Sequence, residues 1–407
     1  MNDRVGVLLI GAGGAVASTV VAGVELIKKG APRFGMITES ELGAALGVCS
    51  LEDLVFGGWD LRGSDLYEAA AHHGVIPPHR LSAVEKELRA IRPWPGVTSE
   101  KFLPSDLGAN IVQARSFRDE LKIMRDQVTG FQREHNLTRV VLVNLTSTER
   151  YTEVEDVHAS IEAFEAGLDN DDPRISPAMK YLYLAITMGM PHANFTPSLS
   201  NIPALEKLSV KKSVPIAGED GKTGQTFLKT VLAPAFVVRD LRVDGWYSTN
   251  ILGNNDGRVL HDPGSNKTKV TSKKGVLDDV LGYTVPDHQV HIHYYKPRGD
   301  NKEAWDNIDL LGFVGEPMQL KVNFLCKDSI LAAPLVLDLV RLLDAAQRAG
   351  EGGVQRQLSL FFKSPYRVEG ERTIHDLFAQ HTLLKDWAAK VSPALKAQST
   401  RGDRTVA

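Results

Sequence analysis

Lysine side chains are concentrated in the second half of the chain, at positions where they could hold an anionic ligand. Four of them fall within eight residues: Lys267, Lys269, Lys273 and Lys274. Lys269 and Lys273 stand four residues apart and share one face if this segment is helical. Lys302 and Lys363 each stand close to a glycine or a proline. The pattern predicts a local cationic site, and a solvated lysine run without function is the competing interpretation.

Asparagine and aspartate side chains cluster just before this lysine run. Three amides and one carboxylate surround a glycine, on Asn250, Asn254, Asn255 and Asp256. Such side chains could contact a ligand, but these residue types also favour turns for local backbone reasons. The pattern alone leaves both interpretations open.

The sequence Gly-Glu-Asp-Gly-Lys-Thr-Gly-Gln at 218–225 is similar to a phosphate-binding loop but lacks its first glycine. That motif needs a glycine five residues before Gly-Lys-Thr, and Ile216 stands there. The segment lies between a predicted strand and a predicted helix, where ligands bind in open α/β sheets. We therefore expect a loop near a ligand, without phosphate-loop geometry.

A second glycine-rich segment, Gly-Ala-Gly-Gly at 11–14, follows an apolar run at 5–10 and precedes a helical pattern at 15–29. Backbone N–H groups and the helix dipole would then face a dinucleotide pyrophosphate. Val16 occupies the place of the third glycine of the full fingerprint, so a tight structural turn remains an alternative. The acid expected about 20 residues later, on the ribose, is Glu39 or Glu41 by spacing.

Composition limits the class of protein. The 407 residues are 43% hydrophobic, enough for two domains with real cores, and the net charge of −3 gives no electrostatic footprint for nucleic acid. No run of residues has the length and apolarity of a membrane span. Two cysteines, Cys49 and Cys326, predict reduced thiols in a cytoplasmic protein. His291 and His293 lack a third metal ligand, and Cys326 lacks a histidine partner, so we expect neither a metal site nor a thiol nucleophile.

Strands and helices alternate through the first half of the chain, which predicts a Rossmann-type doubly wound parallel sheet. Strands are expected at 139–145 and 214–217, with helices at 64–73 and 177–188. The segments 238–252, 288–295 and 318–325 are then predicted as an antiparallel sheet inserted into the first domain. A long helix at 329–347 returns the chain to it. The predicted domains are 1–225, 226–331 and 332–395, followed by a disordered tail at 396–407.

Taken together, the motifs resemble one family, the inositol-3-phosphate synthases, also called myo-inositol-1-phosphate synthases. Four segments carry the resemblance: 218–225, Leu-Gly-Asn-Asn-Asp-Gly at 252–257, Ser-Lys at 272–273 with Val-Leu-Asp-Asp at 276–279, and Cys-Lys-Asp-Ser-Ile-Leu-Ala-Ala-Pro at 326–334. Weaker support comes from 58–60, 65–69, 148–150 and 295–300. The segments occur in the family's order along nearly the whole chain.

The resemblance implies a Rossmann domain that binds NAD tightly, interrupted by an α+β catalytic and oligomerisation domain, in a homotetramer. It also implies glucose 6-phosphate as substrate. Oxidation at C5, loss of the neighbouring proton, closure of the enolate onto the C1 aldehyde and return of the hydride give 1D-myo-inositol 3-phosphate. Fixed ammonium groups suit the enolate, because each contact to an oxyanion contributes roughly 2.7–4 kcal/mol. A monovalent or divalent cation is left open as a second cofactor beside NAD.

Residue by residue, the resemblance assigns the catalytic groups to Lys269, Lys273, Lys302, Lys363 and Asp300. Lys269 and Lys363 are assigned to proton transfer and oxyanion stabilisation, Lys273 to the phosphate, and Lys302 with Asp300 to orientation. The cofactor residues are Gly11, Gly13, Gly14, Ala15, Asp60, Thr146, Ser147, Asp220, Thr223, Asn255, Asp256, Asp328 and Ser329. The substrate residues are Gln225, Asn250, Asn254 and Lys273. Asp60 thereby takes the ribose role in place of Glu39 and Glu41.

The chain also departs from the family's pattern. It has Gly-Ala-Val-Ala at 14–17 where eukaryotic members have Gly-Asn-Asn-Gly, so two amides near the pyrophosphate are missing. Gly-Lys at 221–222 and Lys-Gly at 274–275 also depart from the common residues near the active-site segments. A sibling cyclase that acts on another sugar phosphate, for example turning fructose 6-phosphate into a five-membered cyclitol phosphate, is therefore an alternative. A catalytically silent NAD-binding scaffold and a simple dehydrogenase are others.

Overall fold

A computed structural model describes residues 4–103, 108–253, 276–368 and 370–403. Its larger sheet has seven strands in the order β11-β6-β5-β4-β1-β2-β3, and every neighbouring pair is parallel. The strands are β1 Val5–Ile10, β2 Leu54–Asp60, β3 Trp94–Pro95, β4 Arg139–Asn144, β5 His192–Asn194, β6 Pro215–Gly218 and β11 Gly353–Val354. The order 3-2-1-4-5-6 is that of the Rossmann fold, so the predicted doubly wound sheet is confirmed.

Helices cover both faces of this sheet. In chain order the helices are α1 Ala15–Lys28, α2 Glu41–Leu46, α3 Leu66–His73, α4 Pro78–Leu81, α5 Glu85–Arg89, α6 Phe117–His135, α7 Ile161–Asp169, α8 Pro177–Thr187, α9 Pro203–Lys211, α10 Gly224–Val238, α11 Asp328–Arg348 and α12 Leu377–Asp403. Of these, α10 packs on the second sheet rather than on this one. Residues 276–281 are also helical. Alternate residues of β1 belong to different cores: Leu9 packs in the cluster that includes α1 and α11, and Leu8 in the cluster that includes α6 and α8. A strand buried on both faces has a continuous apolar sequence, and this pattern made β1 predictable.

The second sheet contains β7 Arg242–Leu252, β8 Asp287–Tyr294, β9 Asn301–Leu311 and β10 Pro317–Lys327, in the order β10-β9-β7-β8. Its prediction as an antiparallel sheet was wrong in one pairing. Strand β8 runs parallel to β7, whereas β9 pairs antiparallel with both β7 and β10. The long connection between β7 and β8, which includes the helical residues 276–281, returns the chain to the starting end of β7 before β8 begins.

Two further boundaries differ from the sequence expectation. Residue 238 ends α10 rather than opening β7, which starts at Arg242. Helix α12 continues past residue 396 to Asp403, where a disordered tail was expected. Val391 and Leu395 are buried in the main core, so this helix remains anchored almost to the start of the expected tail.

Candidate cofactor and substrate site

A cavity of about 260 Å³ opens at the carboxyl edge of the seven-stranded sheet. The turn after β1 and the ends of β2, β4, β5 and β6 contribute to its walls, together with the start of α11. Strand order reverses between β1 and β4, and ligands of doubly wound sheets bind in the crevice at this switch point. The cavity therefore lies where the fold predicts a ligand.

The turn after β1 depends on glycine at two positions. Gly11 has φ +84°, and a Cβ there would lie 2.9 Å from the carbonyl oxygen of Leu145. A Cβ on Gly13 would lie 3.2 Å from the carboxyl carbon of Asp60. Gly14 then caps α1, which begins at Ala15. The N–H groups of Gly11 to Gly14 are bonded within the protein, so the compact turn leaves room for a pyrophosphate to approach the N–H groups of the first turn of α1.

Asp60 stands at the end of β2, beside the glycine turn. Its Oδ2 accepts a hydrogen bond of 2.8 Å from the Gly13 N–H, and its Oδ1 accepts one of 2.8 Å from the Arg62 N–H. Burial raises the pKa of the Asp60 carboxyl, and these two N–H groups oppose that effect. The geometry suits a carboxylate that holds the ribose hydroxyls of a dinucleotide.

The spacing rule for the ribose acid fails here for a structural reason. Residues 31–53, which include α2, are inserted between α1 and β2 and delay the end of β2. Glu39 forms an ion pair with Arg341 of α11, and Glu41 is exposed on α2. The placement of Asp60 therefore favours the assignment from the resemblance over the one from spacing.

The ends of β4, β5 and β6 form the other half of the cavity. Thr146 donates two hydrogen bonds to Asn144 Oδ1, one of 3.2 Å from its backbone N–H and one of 2.8 Å from its hydroxyl. Ser147 lines the cavity next to Thr146, and Thr223 lines it before the first turn of α10. These predicted cofactor residues are therefore brought together by separate strands.

Two lysine–carboxylate pairs face the cavity from different segments. The Lys363 ammonium lies 2.8 Å from Asp220 Oδ1, and the Lys302 ammonium lies 3.3 Å from Asp328 Oδ1. All four residues line the cavity. Lys363 is only 8% exposed, so its charge acts with little screening by water.

The Asp300 carboxylate is hydrogen-bonded to the first turn of α11. It accepts a hydrogen bond of 2.8 Å from the Ser329 hydroxyl and one of 3.2 Å from the Ser329 N–H. Lys302, which the resemblance assigns to orientation together with Asp300, forms an ion pair with Asp328. Because Ser329 follows Asp328, Asp300 can fix the carboxylate that holds Lys302.

Gln225 and Asn250 meet where α10 packs on β7. The amide of Asn250 donates a short hydrogen bond to Gln225 Oε1, and both side chains are buried. Among the described residues, Gln225 Nε2, Asn250 Oδ1 and Asp220 Oδ2 have no hydrogen-bond partner. Buried polar atoms of this kind need a partner, and Asp220 lines the cavity, where a polar ligand could supply one, whereas Gln225 and Asn250 are not among the residues that line it. The predicted residues Lys269, Lys273, Asn254, Asn255 and Asp256 lie outside the described residues.

The lysine of the 218–225 segment does not serve this cavity. Lys222 is buried, and its ammonium donates a hydrogen bond of 2.5 Å to Gln380 of α12. Burial lowers the pKa of Lys222 to about 7. The segment is therefore a ligand-facing loop without a phosphate-binding lysine, as its missing first glycine predicts.

Several lining residues were missed by the sequence reasoning. His73, of α3, contacts the Gly13 carbonyl at 2.9 Å, and Phe195 lines the cavity after β5. Glu149 also lines it, accepting a hydrogen bond of 2.9 Å from the Ala178 N–H, and burial raises its pKa to about 7. Only Glu149 gave a signal, as part of a segment of the resemblance to which no role was assigned.

The described ranges also bear on a metal site, a membrane span and a reactive thiol. Among those residues, no group of three or more His, Cys, Asp and Glu side chains is placed to hold a metal ion. Within the same ranges, no helix combines the length and the apolarity needed to cross a bilayer. Burial raises the pKa of the Cys326 thiol to about 11, which disfavours a nucleophilic thiolate.

Comparison with known proteins gives one consistent result. A family model described as myo-inositol-1-phosphate synthase, and named as NAD-binding, matches residues 5–389. Inositol-3-phosphate synthase 1 of Bacteroides thetaiotaomicron is 43% identical over 405 residues, covering 94% of both chains. Inositol-3-phosphate synthase 1 of Oryza sativa is 30% identical over 382 residues, covering 85% of this chain and 75% of the rice protein.

Solved structures agree with the sequence relatives. The crystal structure of inositol-3-phosphate synthase from Caenorhabditis elegans matches with a TM-score of 0.89 at 26% identity, covering 96% of this chain and 86% of that one. A myo-inositol-1-phosphate synthase-related protein from Thermotoga maritima matches with a TM-score of 0.77 at 26% identity, covering 95% and 98%. The resemblance found in the sequence is thereby confirmed. The chain belongs to the myo-inositol-1-phosphate synthase family, and it is an NAD-dependent enzyme.

Proposed function

We propose that this enzyme converts glucose 6-phosphate into 1D-myo-inositol 3-phosphate in a redox-neutral cyclisation. The observation that carries the proposal is the convergence of the Lys363–Asp220 and Lys302–Asp328 pairs on the cavity beside the glycine turn. A dehydrogenase needs one acid–base group near the hydride, whereas an enolate needs several fixed positive charges. The names of the relatives support the same product, an inositol 3-phosphate.

NAD, when bound, supplies a hydride acceptor for C5 and later returns the hydride. The protein's own contribution is electrostatic and positional. Lys363 is placed to move a proton at the C5 oxygen and to stabilise the oxyanion, while Asp220 keeps its ammonium group in place. Lys302, held by Asp328, would orient the reacting carbons, with Asp300 supporting it through Ser329.

The remaining site residues divide between cofactor and substrate in this proposal. Asp60 holds the adenosine ribose, and the glycine turn holds the pyrophosphate. Gln225 and Asn250 offer their unpartnered amide atoms to the sugar hydroxyls. Lys273 binds the phosphate and Lys269 shares the proton transfer. Asn254 binds the substrate, and Asn255 and Asp256 bind the cofactor; these five roles are assigned from the sequence motifs alone.

A sibling cyclase with another sugar phosphate and a silent NAD-binding scaffold are the competing functions. Purified enzyme would be incubated with NAD and one sugar phosphate at a time: glucose 6-phosphate, fructose 6-phosphate or mannose 6-phosphate. The products would be identified by NMR. We expect a six-membered cyclitol phosphate from glucose 6-phosphate alone. A five-membered ring would identify a sibling cyclase. If no sugar phosphate gave a product, the silent NAD-binding scaffold would be the remaining function.

We also propose that the enzyme is a homotetramer that uses the outer face of the second sheet. Tyr247, Trp305 and Leu325 lie on this face, on three adjacent strands, and are 43%, 48% and 58% exposed. Exposed aromatic residues on neighbouring strands mark a contact surface, and a second copy of the same face is the partner that a symmetric assembly provides.

The assembly can be tested by light scattering after size-exclusion chromatography. We expect the wild-type mass to be four times that of the chain and Trp305→Asp to lower it, because a buried carboxylate would lack a partner. Phe34→Asp, at a residue that is 88% exposed and lies outside the second sheet, is the matched control and should leave the mass unchanged. A monomeric wild type would contradict the proposal.

A further inference from the structure

We propose that Phe195 is a cofactor-binding residue that retains the reduced nicotinamide while the sugar ring closes. The inference rests on the proposed function, since only a redox-neutral cycle requires the reduced cofactor to stay bound between two hydride transfers. Phe195 follows β5, in the half of the cavity formed by the ends of β4, β5 and β6. In a Rossmann sheet with the adenosine end at β2, this half receives the nicotinamide.

The backbone of Phe195 is fixed on two sides. Its N–H donates a hydrogen bond of 3.0 Å to the Asn144 carbonyl at the end of β4. Its carbonyl accepts one of 3.0 Å from the Gly221 N–H, in the turn after β6. The side chain therefore projects from a rigid position between two strand ends, and its ring forms part of the cavity wall.

The ring occupies the space that any side chain at Gly221 would need. A Cβ on Gly221 would lie 2.1 Å from both Cε1 and Cζ of Phe195. Gly221 directly follows Asp220, a non-glycine residue with φ +61° whose carboxylate holds Lys363. The ring thus packs on the turn that carries the catalytic pair, and it brings an apolar surface next to that pair.

A second aromatic ring covers the other end of the same turn but has a different environment. A Cβ on Gly218 would lie 2.3 Å from Cζ of Tyr366, whose hydroxyl is hydrogen-bonded to Ser200 at 3.0 Å. Tyr366 is buried, whereas Phe195 is half-buried and lines the cavity. Both rings pack on the turn, but of the two only Phe195 lines this cavity, which points to contact with a ligand.

The chemistry of the cycle explains why an apolar wall matters at this place. When bound, the nicotinamide would be charged before it accepts the hydride from C5 and neutral and more apolar afterwards, while a base of the enzyme would take the hydroxyl proton. An aromatic surface binds such a ring and keeps water from the ketone. Without that surface, NADH and the 5-keto sugar phosphate can leave before closure, and each escaped pair consumes one NAD.

The test compares wild type, Phe195→Ala, Phe195→Leu and Gly221→Ala by calorimetry with NADH on protein stripped of cofactor. We expect Phe195→Ala to bind NADH about tenfold more weakly, the order of one lost aromatic contact. Phe195→Leu keeps an apolar wall and should stay within about threefold of wild type by the same reasoning. In Gly221→Ala the new methyl group displaces the Phe195 ring, so its NADH affinity should resemble that of Phe195→Ala. This variant replaces Phe195→Ala in the test if Phe195→Ala does not fold.

During turnover with glucose 6-phosphate, Phe195→Ala should release NADH into solution, measurable by absorbance, while wild type and Phe195→Leu should not. Unchanged NADH affinity in Phe195→Ala and Gly221→Ala would overturn the inference, whatever their thermal stability. If wild type binds NADH but cyclises no sugar phosphate, the proposed function fails. The binding comparison then still decides whether Phe195 contacts the cofactor.

Discussion

Replacing Lys363 with methionine is expected to lower kcat by roughly 10²–10³, the loss seen when one donor to a developing oxyanion is removed from a dry site. Lys363 is 8% exposed and lies 2.8 Å from Asp220 Oδ1. Methionine keeps most of the side-chain volume but removes the charge and the proton donor. The rate is measured as cyclitol phosphate formed per enzyme at saturating NAD and glucose 6-phosphate.

The loss must be separated from an effect on folding, because removal of one partner leaves the Asp220 carboxylate buried and unpaired. Lys363→Arg keeps the charge, so it should fold like wild type while placing its donors differently. Lys122→Met, at an exposed position of α6, is the matched control and should retain full activity. Full turnover in a folded Lys363→Met variant would remove Lys363 from the mechanism.

Replacing Gly58 with alanine is expected to destabilise the fold by roughly 4 kcal/mol or more, which marks a severe local defect. Gly58 pairs with Leu9 in the parallel register of β1 and β2, at φ +148°. A Cβ there would lie 1.9 Å from the Leu9 carbonyl oxygen, so the strands would have to separate beside Asp60. Chemical denaturation measures the loss of stability, and calorimetry should show weakened NAD binding.

Gly130→Ala is the opposite case and serves as the control. Gly130 lies within α6, and a Cβ there would meet no atom within 4 Å. Alanine in a helix is favoured over glycine by roughly 0.5–1 kcal/mol, so this variant should be slightly more stable than wild type. Similar stabilities for Gly58→Ala and Gly130→Ala would show that the β1–β2 register is wrong.

Features that depend on local pattern were predictable from the sequence. The run of buried residues in β1 and the glycines after it gave the first strand and the start of α1 to the residue. Helix α11 was also predicted within one residue at each end, because it is long and bounded by clear signals. Strand β9 was missed because Glu303, Asp306 and Asp309 interrupt its apolar pattern. Asp306 is nevertheless buried, because the side chains of Trp246 and Ser248 donate hydrogen bonds to its carboxylate.

The site could be predicted only in part, because its pairs join residues that are distant in the chain. Lys363 and Asp220 stand 143 residues apart, and Asp60 stands 47 residues after Gly13. No periodicity or spacing rule gives such contacts, and the resemblance supplied the residues without their partners. It assigned Lys302 and Asp300 to orientation, but gave no sign of the ion pair between Lys302 and Asp328. Phe195 was missed because its role depends on the space above Gly221, which has no sequence signal.

The central claim is that one enzyme-bound cofactor takes a hydride from C5 of the sugar and returns the same hydride. Glucose 6-phosphate deuterated at C5 tests it most directly, in the presence of unlabelled NAD. We expect cyclitol phosphate that retains the deuterium at the corresponding carbon, with no stoichiometric NADH in solution. Deuterium found in free NADH instead, with no cyclic product, would contradict the account and identify a simple dehydrogenase.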